Sequence, residues 1–104
     1  MELEPIVVAI PHRHGRAEAM RRIKAGIADA RTRYAAKFKV AEEHWEDERL
    51  TFRIALLGQP VTGTIEIGDD SARAEVKLSW YLGHMVKPAA AFIQQQGTEI
   101  LSGT

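Results

Sequence analysis

Three segments in the middle of the chain alternate apolar and polar residues, a pattern typical of half-buried β-strands. They span residues 50–56, 61–67 and 72–80, and turn-forming residues separate them at 58–60 and 68–70. The pattern therefore predicts an antiparallel meander with one apolar face and one charged face that can be left in water. The residues of the charged face are Thr51, Arg53, Thr62, Thr64, Glu66, Arg73, Glu75 and Lys77.

Two further strands are predicted outside this meander. Residues 5–10 form a short run rich in β-branched residues that ends at Pro11. Residues 40–45 are a weaker candidate, because glutamates interrupt the apolar pattern. Trp45 is ambiguous here, since one parity of this strand buries a glutamate and the other leaves the tryptophan outside.

Two segments have the three- and four-residue spacing of amphipathic helices. The first runs from Arg16 to about Ala36, and the second starts near Met85, with Pro88 in its first turn and a weakening Gly97. Their apolar positions are Met20, Ile23, Ile27, Ala30 and Tyr34 in the first helix, and Ala89, Phe92, Ile93 and Ile100 in the second. The predicted order is β-α-β-β-β-β-α, an α+β fold whose two helices cover the apolar face of an antiparallel sheet.

Composition narrows the class of protein. The chain has 104 residues, 45% of them hydrophobic, which suits one domain over residues 1–104 with a core over about 6–101. Fourteen basic residues balance fourteen acidic ones, which argues against a dedicated nucleic-acid binder, and the absence of cysteine excludes disulfides and thiolate chemistry. With no long apolar segment, we expect a cytoplasmic protein without a membrane span. An uncovered edge strand would allow a homodimer.

The candidate catalytic and metal-binding groups are weak. His12 and His14 have a spacing that could place two imidazoles together, but a stable site needs further ligands. We therefore favour polar loop residues, one of which caps or hydrogen-bonds the first helix. The acidic residues at 42–48 are more simply solvated than catalytic, and no nucleophile–base pair or phosphate-binding loop is present. We expect no catalytic residue, no metal and no cofactor.

Two surfaces could bind a partner. Residues 13–39 carry nine basic and two acidic side chains, a local charge of +7 against −5 for residues 42–48. Arg21, Arg22 and Arg31 on the basic helix could contact an anionic surface, although a solvated helix face explains them more simply. Tyr81, Leu82 and Met85 could form an exposed apolar patch, or Leu82 and Met85 could instead close the core beneath the last helix.

Six residues spread along the chain form a pattern that is typical of a known family. They are His12 and Gly15 after the first strand, Trp45 and Phe52 in the hairpin, Gly63 in the next strand and Lys87 at the start of the last helix. In this order they resemble the polyhydroxyalkanoic acid system proteins, a family of small bacterial proteins encoded beside polyester-storage genes. The resemblance covers about residues 6–101 and implies a genomic context, with no catalytic residue to carry over.

The resemblance and the surfaces together predict a function. We expect a non-enzymatic accessory protein that binds the polyester granule surface or a granule-associated protein, located in the cytoplasm or on the granule. The alternative is a small acyl- or lipid-binding domain of the helix-grip type, with a cavity between sheet and helix. A void of several hundred cubic ångströms there would favour the alternative, and close packing would favour the surface protein. A third hypothesis is an enzyme of the polyester pathway, but the sequence shows no nucleophile–base pair for it.

Overall fold

The computed structural model describes residues 5–56, 58–78 and 80–102, with only the backbone described at residues 80 and 81. The elements are β1 (Ile6–Pro11), α1 (Arg16–Arg33), β2 (Phe38–Glu46), β3 (Arg49–Leu56), β4 (Gln59–Ile67), β5 (Ser71–Leu78), a 3₁₀ segment (Trp80–Met85) and α2 (Val86–Ser102). The predicted α+β fold and the order β-α-β-β-β-β-α are confirmed.

The strands form one antiparallel sheet in the order β1-β5-β4-β3-β2. The chain thus starts at one edge, and α1 carries it to the opposite edge. An 18-residue helix is about 27 Å long, which exceeds the roughly 19 Å across four strand spacings, so α1 can cross the whole sheet. The meander then returns strand by strand until β5 pairs with β1.

Both helices cover one face of the sheet, and two glycines allow them to pack closely. A Cβ on Gly97 of α2 would overlap Cδ1 of Ile10 in β1, and a Cβ on Gly26 of α1 would overlap Cδ1 of Ile100 in α2. From the sequence, Gly97 was predicted only to weaken the helix. The structure shows that this glycine lets α2 lie directly on β1, so its intrinsic cost is offset by packing.

Several boundaries differ from the prediction. The first helix was predicted to run to about Ala36 and ends at Arg33. Gln59 pairs with Leu56, and Pro60 pairs with Ala55, so both residues belong to β4. Of the turn predicted over 58–60, only Gly58 lies in a turn. At the other end, β5 stops at Leu78 and a 3₁₀ segment replaces the strand pattern that predicted continuation to residue 80. Alternation of apolar residues cannot distinguish a strand from a 3₁₀ turn over so few residues.

Candidate functional site

Three aromatic side chains meet where the end of α1, the start of β2 and the middle of α2 come together. The Phe92 ring makes an edge-on contact with the Tyr34 ring, with centroids 5.2 Å apart. Tyr34 also stacks on Phe38 at 6.4 Å. Phe92 is 39% exposed. Within the described ranges, Phe92 and Val7 are the two large hydrophobic residues that are exposed. We call Tyr34, Phe38 and Phe92 the aromatic cluster.

Local backbone structure explains why the aromatic cluster forms. The carbonyl of Tyr34 accepts hydrogen bonds from the N–H groups of Lys37 (2.9 Å) and Phe38 (3.2 Å), so a tight turn brings Phe38 back beside Tyr34. Phe92 was predicted on the covered stripe of α2. It lies at the margin of that stripe because α1 ends at Arg33, and Tyr34 covers one side of the ring while the other meets solvent.

The apolar patch predicted from Tyr81, Leu82 and Met85 is not present as such. Leu82 is 4% exposed and belongs to the hydrophobic core, so its assignment as a surface residue is wrong. Met85 is partly buried against the same core, and the side chain of Tyr81 lies outside the described part of the structure. The 3₁₀ winding from Trp80 replaces the strand alternation that the prediction assumed. Burial supports the alternative interpretation, in which Leu82 and Met85 close the core.

The predicted basic residues of α1 are paired within the chain. Arg21 and Arg22 both contact Glu18, at 2.6 Å and 2.9 Å. The hydrogen bonds from Arg21 and then from Arg22 lower the pKa of the Glu18 carboxyl from 4.5 to about 2. Arg31 reaches Glu43 of β2 at 3.4 Å. The side chains of Arg21 and Arg31 are more than half exposed, whereas that of Arg22 is 17% exposed. Surface ion pairs are weak and can exchange partners, so these arginines remain predicted contacts for an anionic surface.

A β-bulge resolves the ambiguous parity of β2. The pairing with β3 shifts between Val40 and Glu42, after which Glu43 lies opposite Phe52 and Trp45 opposite Leu50. Trp45 is partly buried against the core. Glu43 and Trp45 therefore both lie on the face towards the helices. This is the first of the two predicted arrangements, in which the tryptophan and a glutamate share the covered face.

Two cations of α1 contact this bulged strand. The Lys24 ammonium lies 4.9 Å from the centroid of the Trp45 ring, and Arg31 pairs with Glu43. Positions 24 and 31 are two helical turns apart and share one face of α1. The basic helix thus binds the acidic strand of its own chain. Sequence reasoning recognised the charge asymmetry but missed this pairing, whose signal was the seven-residue spacing of the two cations.

His12 and His14 hold the loop after β1 in place through hydrogen bonds. His12 is buried, its Nδ1 accepts the His14 N–H at 3.2 Å, and its Nε2–H therefore donates to the Gly68 carbonyl at 3.0 Å. The His14 Nε2 bonds the carbonyl of Leu101 near the end of α2. The expectation of a bond to the first helix is wrong, because the partners are the β4–β5 turn and the last helix. The described residues contain no group of three ligands for a metal ion.

The remaining family-pattern positions also build the fold. Gly15 precedes α1 with φ 77°, a conformation that favours glycine. The Phe52 ring crosses over Gly63 of the neighbouring strand, where a Cβ would lie 2.6 Å from the ring Cζ. Lys87 lies exposed in the first turn of α2. Gly15 thus serves a turn, and Gly63 and Phe52 make a close contact between neighbouring strands.

The open face of the sheet has the predicted polar character. Arg49 pairs with Glu66 at 3.8 Å, and Arg53 pairs with Glu42. Together with a central group of threonines these residues line a shallow hollow of about 420 Å³. A second hollow, of about 550 Å³, lies at the turn that starts near Asp47. Neither of these two hollows lies between the sheet and the helices, and α2 packs closely on β1 where Gly97 meets Ile10.

Comparison with known proteins identifies the family of this chain. Neither helix in the described ranges has the length and apolar content needed to cross a membrane. No curated protein and no solved structure matches the chain. A family model described as Putative polyhydroxyalkanoic acid system protein matches residues 6–101, which run from the first residue of β1 into the last turn of α2. The chain therefore belongs to the family of polyhydroxyalkanoic acid system proteins.

Proposed function

We propose that this protein is a non-enzymatic accessory of polyhydroxyalkanoate storage that binds the surface of polyester granules. The family supplies the storage context. The observation that carries the proposal is the aromatic cluster, in which a 39% exposed Phe92 is supported by Tyr34. A polyester particle presents an apolar surface, and an exposed aromatic ring loses contact with water when it adheres there.

The surroundings of the aromatic cluster suit a granule that also carries anionic components. Lys37 and Lys39 flank Phe38 along the chain and form no ion pair within the described residues. Arg31 and Arg33 end the basic helix nearby, each bound to an acid of the same chain. We infer an apolar contact at Phe92 with weaker, salt-sensitive attraction from the neighbouring cations.

Co-sedimentation with particles tests this proposal. Two kinds of particle are compared, bare amorphous polyhydroxyalkanoate and granules that keep their protein coat, so that polymer binding and protein binding are separated. The variant Phe92→Ser should lower the affinity roughly tenfold, because about 1.5 kcal/mol of apolar transfer is lost with the ring. Phe92→Leu should retain most of the binding.

Two control variants make the result specific. Gln95→Ser changes an exposed polar residue of the same helix and should leave the bound fraction unchanged. Tyr81→Ser tests the surface predicted from sequence, and should have a smaller effect than Phe92→Ser. Equal binding of the wild type and Phe92→Ser would show that the aromatic cluster is not the binding surface. Absence of wild-type binding to both kinds of particle would remove granule binding itself.

A further inference from the structure

The two edges of the sheet differ in their chemistry. β2 forms one edge and is protected by the bulge after Val40 and by four charged side chains, which are Lys39, Glu42, Glu43 and Glu46. β1 forms the other edge and contains no charged residue. Within the described ranges β1 pairs with β5 and no other strand. Val7, the second residue of β1, is 49% exposed. An uncharged, regular edge of this kind is a template for another strand.

The hydrogen-bond phase of β1 determines which residues face the free edge. The His12 N–H donates to the Asp70 carbonyl at 2.8 Å, which makes these two residues a hydrogen-bonded pair of the antiparallel ladder. Because such pairs alternate, Ile10, Val8 and Ile6 direct their backbone groups to β5. Val7 and Ala9 therefore direct their N–H and C=O groups outwards.

Two prolines limit this free edge. Pro5 and Pro11 occupy the next outward positions on each side of Val7 and Ala9, and neither has an N–H to donate. A strand that paired here would find two residues with both backbone groups available, followed at each end by a proline. The edge is therefore short and has a defined centre at Val8.

The sequence around this centre is nearly symmetric. In Pro-Ile-Val-Val-Ala-Ile-Pro, residues 5–11, each residue is matched by the same or a similar type on the other side of Val8. We propose that β1 pairs with β1 of a second copy of this chain, antiparallel and about a two-fold axis at Val8. Val7 of one copy then exchanges two hydrogen bonds with Ala9 of the other, and the symmetry repeats this pair. The prolines lie opposite one another, so no strand donor is left unpaired at either end.

This arrangement places both pairs of helices on the same side of a continuous sheet, because the two-fold axis is perpendicular to the sheet. The two aromatic clusters then lie on one side of the dimer. If granule binding is correct, on which this consequence rests, the dimer would adhere through two contacts and bind more tightly than one copy. The pairing itself does not depend on granule binding.

The first test measures the mass in solution against concentration. The wild type should move from one chain of 11.6 kDa to twice that mass over the micromolar to millimolar range. Ala9→Pro removes one outward N–H and leaves the hydrogen bonds to β5 in place, so it should stay monomeric with an unchanged far-UV spectrum. The matched variant Ala9→Ser keeps the N–H and should dimerise as the wild type does. A wild type that stays monomeric throughout, or a folded Ala9→Pro that dimerises normally, would overturn the proposal.

The second test fixes the register and does not require Ala9→Pro to fold. The chain has no cysteine, so introduced thiols are the only ones. Val7→Cys and Ala9→Cys are prepared separately and then mixed under mild oxidation. Opposed residues lie about 5.5 Å apart between Cα atoms, within disulfide range, whereas position 7 is too far from position 7 of the other copy. Disulfide-linked dimer should form in the mixture and not in either variant alone. Equal cross-linking in all three samples, or none in the mixture, would contradict the proposed pairing.

The two proposals fail separately. Loss of dimerisation in Ala9→Pro with retained, weaker granule binding supports both. Granule binding without any wild-type dimer overturns only the pairing, and a dimer that ignores every particle overturns only the proposed function.

Discussion

On the helix-covered face of the sheet, Leu50 is 2% exposed and Ile67 is 4% exposed, whereas their neighbours Thr51 and Glu66 stand in solvent on the open face. The covered face fixes the register, because a slip by one residue would expose every apolar side chain. The open face carries exchangeable ion pairs and tolerates change. Two residues depart from this division, Val7 on the open side and Phe92 on the helix side. Phe92 belongs to the surface that we propose for granule binding, and Val7 belongs to the strand edge that we propose for dimerisation.

The largest expected effect contrasts two adjacent residues of β3. Leu50→Ala truncates a side chain that is only 2% exposed and should lower the free energy of unfolding by about 2–5 kcal/mol. Thr51→Ala changes the exposed neighbour and should stay within about 0.5 kcal/mol of the wild type. Denaturant unfolding measures both. Similar losses for the two variants would show that the faces do not differ as described.

A smaller effect is expected where α2 rests on β1. Gly97→Val would force side-chain atoms into the space of Ile10 and should cost about 1–3 kcal/mol. Ala91→Val places the same side chain at an exposed position of the same helix, and should cost less than about 1 kcal/mol through helix propensity. Thermal unfolding compares the pair. Equal stability of the two variants would argue against close contact between α2 and β1.

The smallest effect concerns the exposed side of α1. The folded-state pKa of Glu18 is about 2, below its ordinary value of 4.5, because Arg21 and then Arg22 hydrogen-bond the carboxylate. The stabilisation is therefore present above pH 4.5 and is lost as the pH falls from 4.5 towards 2. Glu18→Gln should be slightly less stable than the wild type at neutral pH, and the difference should vanish near pH 2. A difference that persists at pH 2 would assign the effect of the substitution to something other than charge.

Much of the fold could be predicted because periodicity reports which face of an element is buried. The alternation at residues 50–56 and the helical spacing around Ile23 gave the right elements in the right order. The β-bulge after Val40 could not be foreseen, since an inserted residue changes the parity without leaving a signal in composition. The role of Gly97 needed the position of Ile10, which lies far away in the sequence.

The candidate site was predicted less well. Leu82 was left open between an exposed patch and the core, because the sequence pattern did not show that the chain winds as a 3₁₀ helix after β5. Phe92 was assigned to the core because the stripe on α2 is apolar, although only the end of α1 decides whether that ring is covered. The charge of α1 was recognised, but local charge cannot show that Arg31 is bound to Glu43 of the same chain. Surface sites depend on where elements stop, which periodicity defines poorly.

The most direct test of granule binding is the distribution of a fluorescently tagged copy in cells that accumulate polyester, compared with the same cells lacking granules. We predict signal at the granule edge that disappears without polyester and that becomes diffuse for Phe92→Ser at equal protein level. Diffuse wild-type signal in both kinds of cell would contradict it.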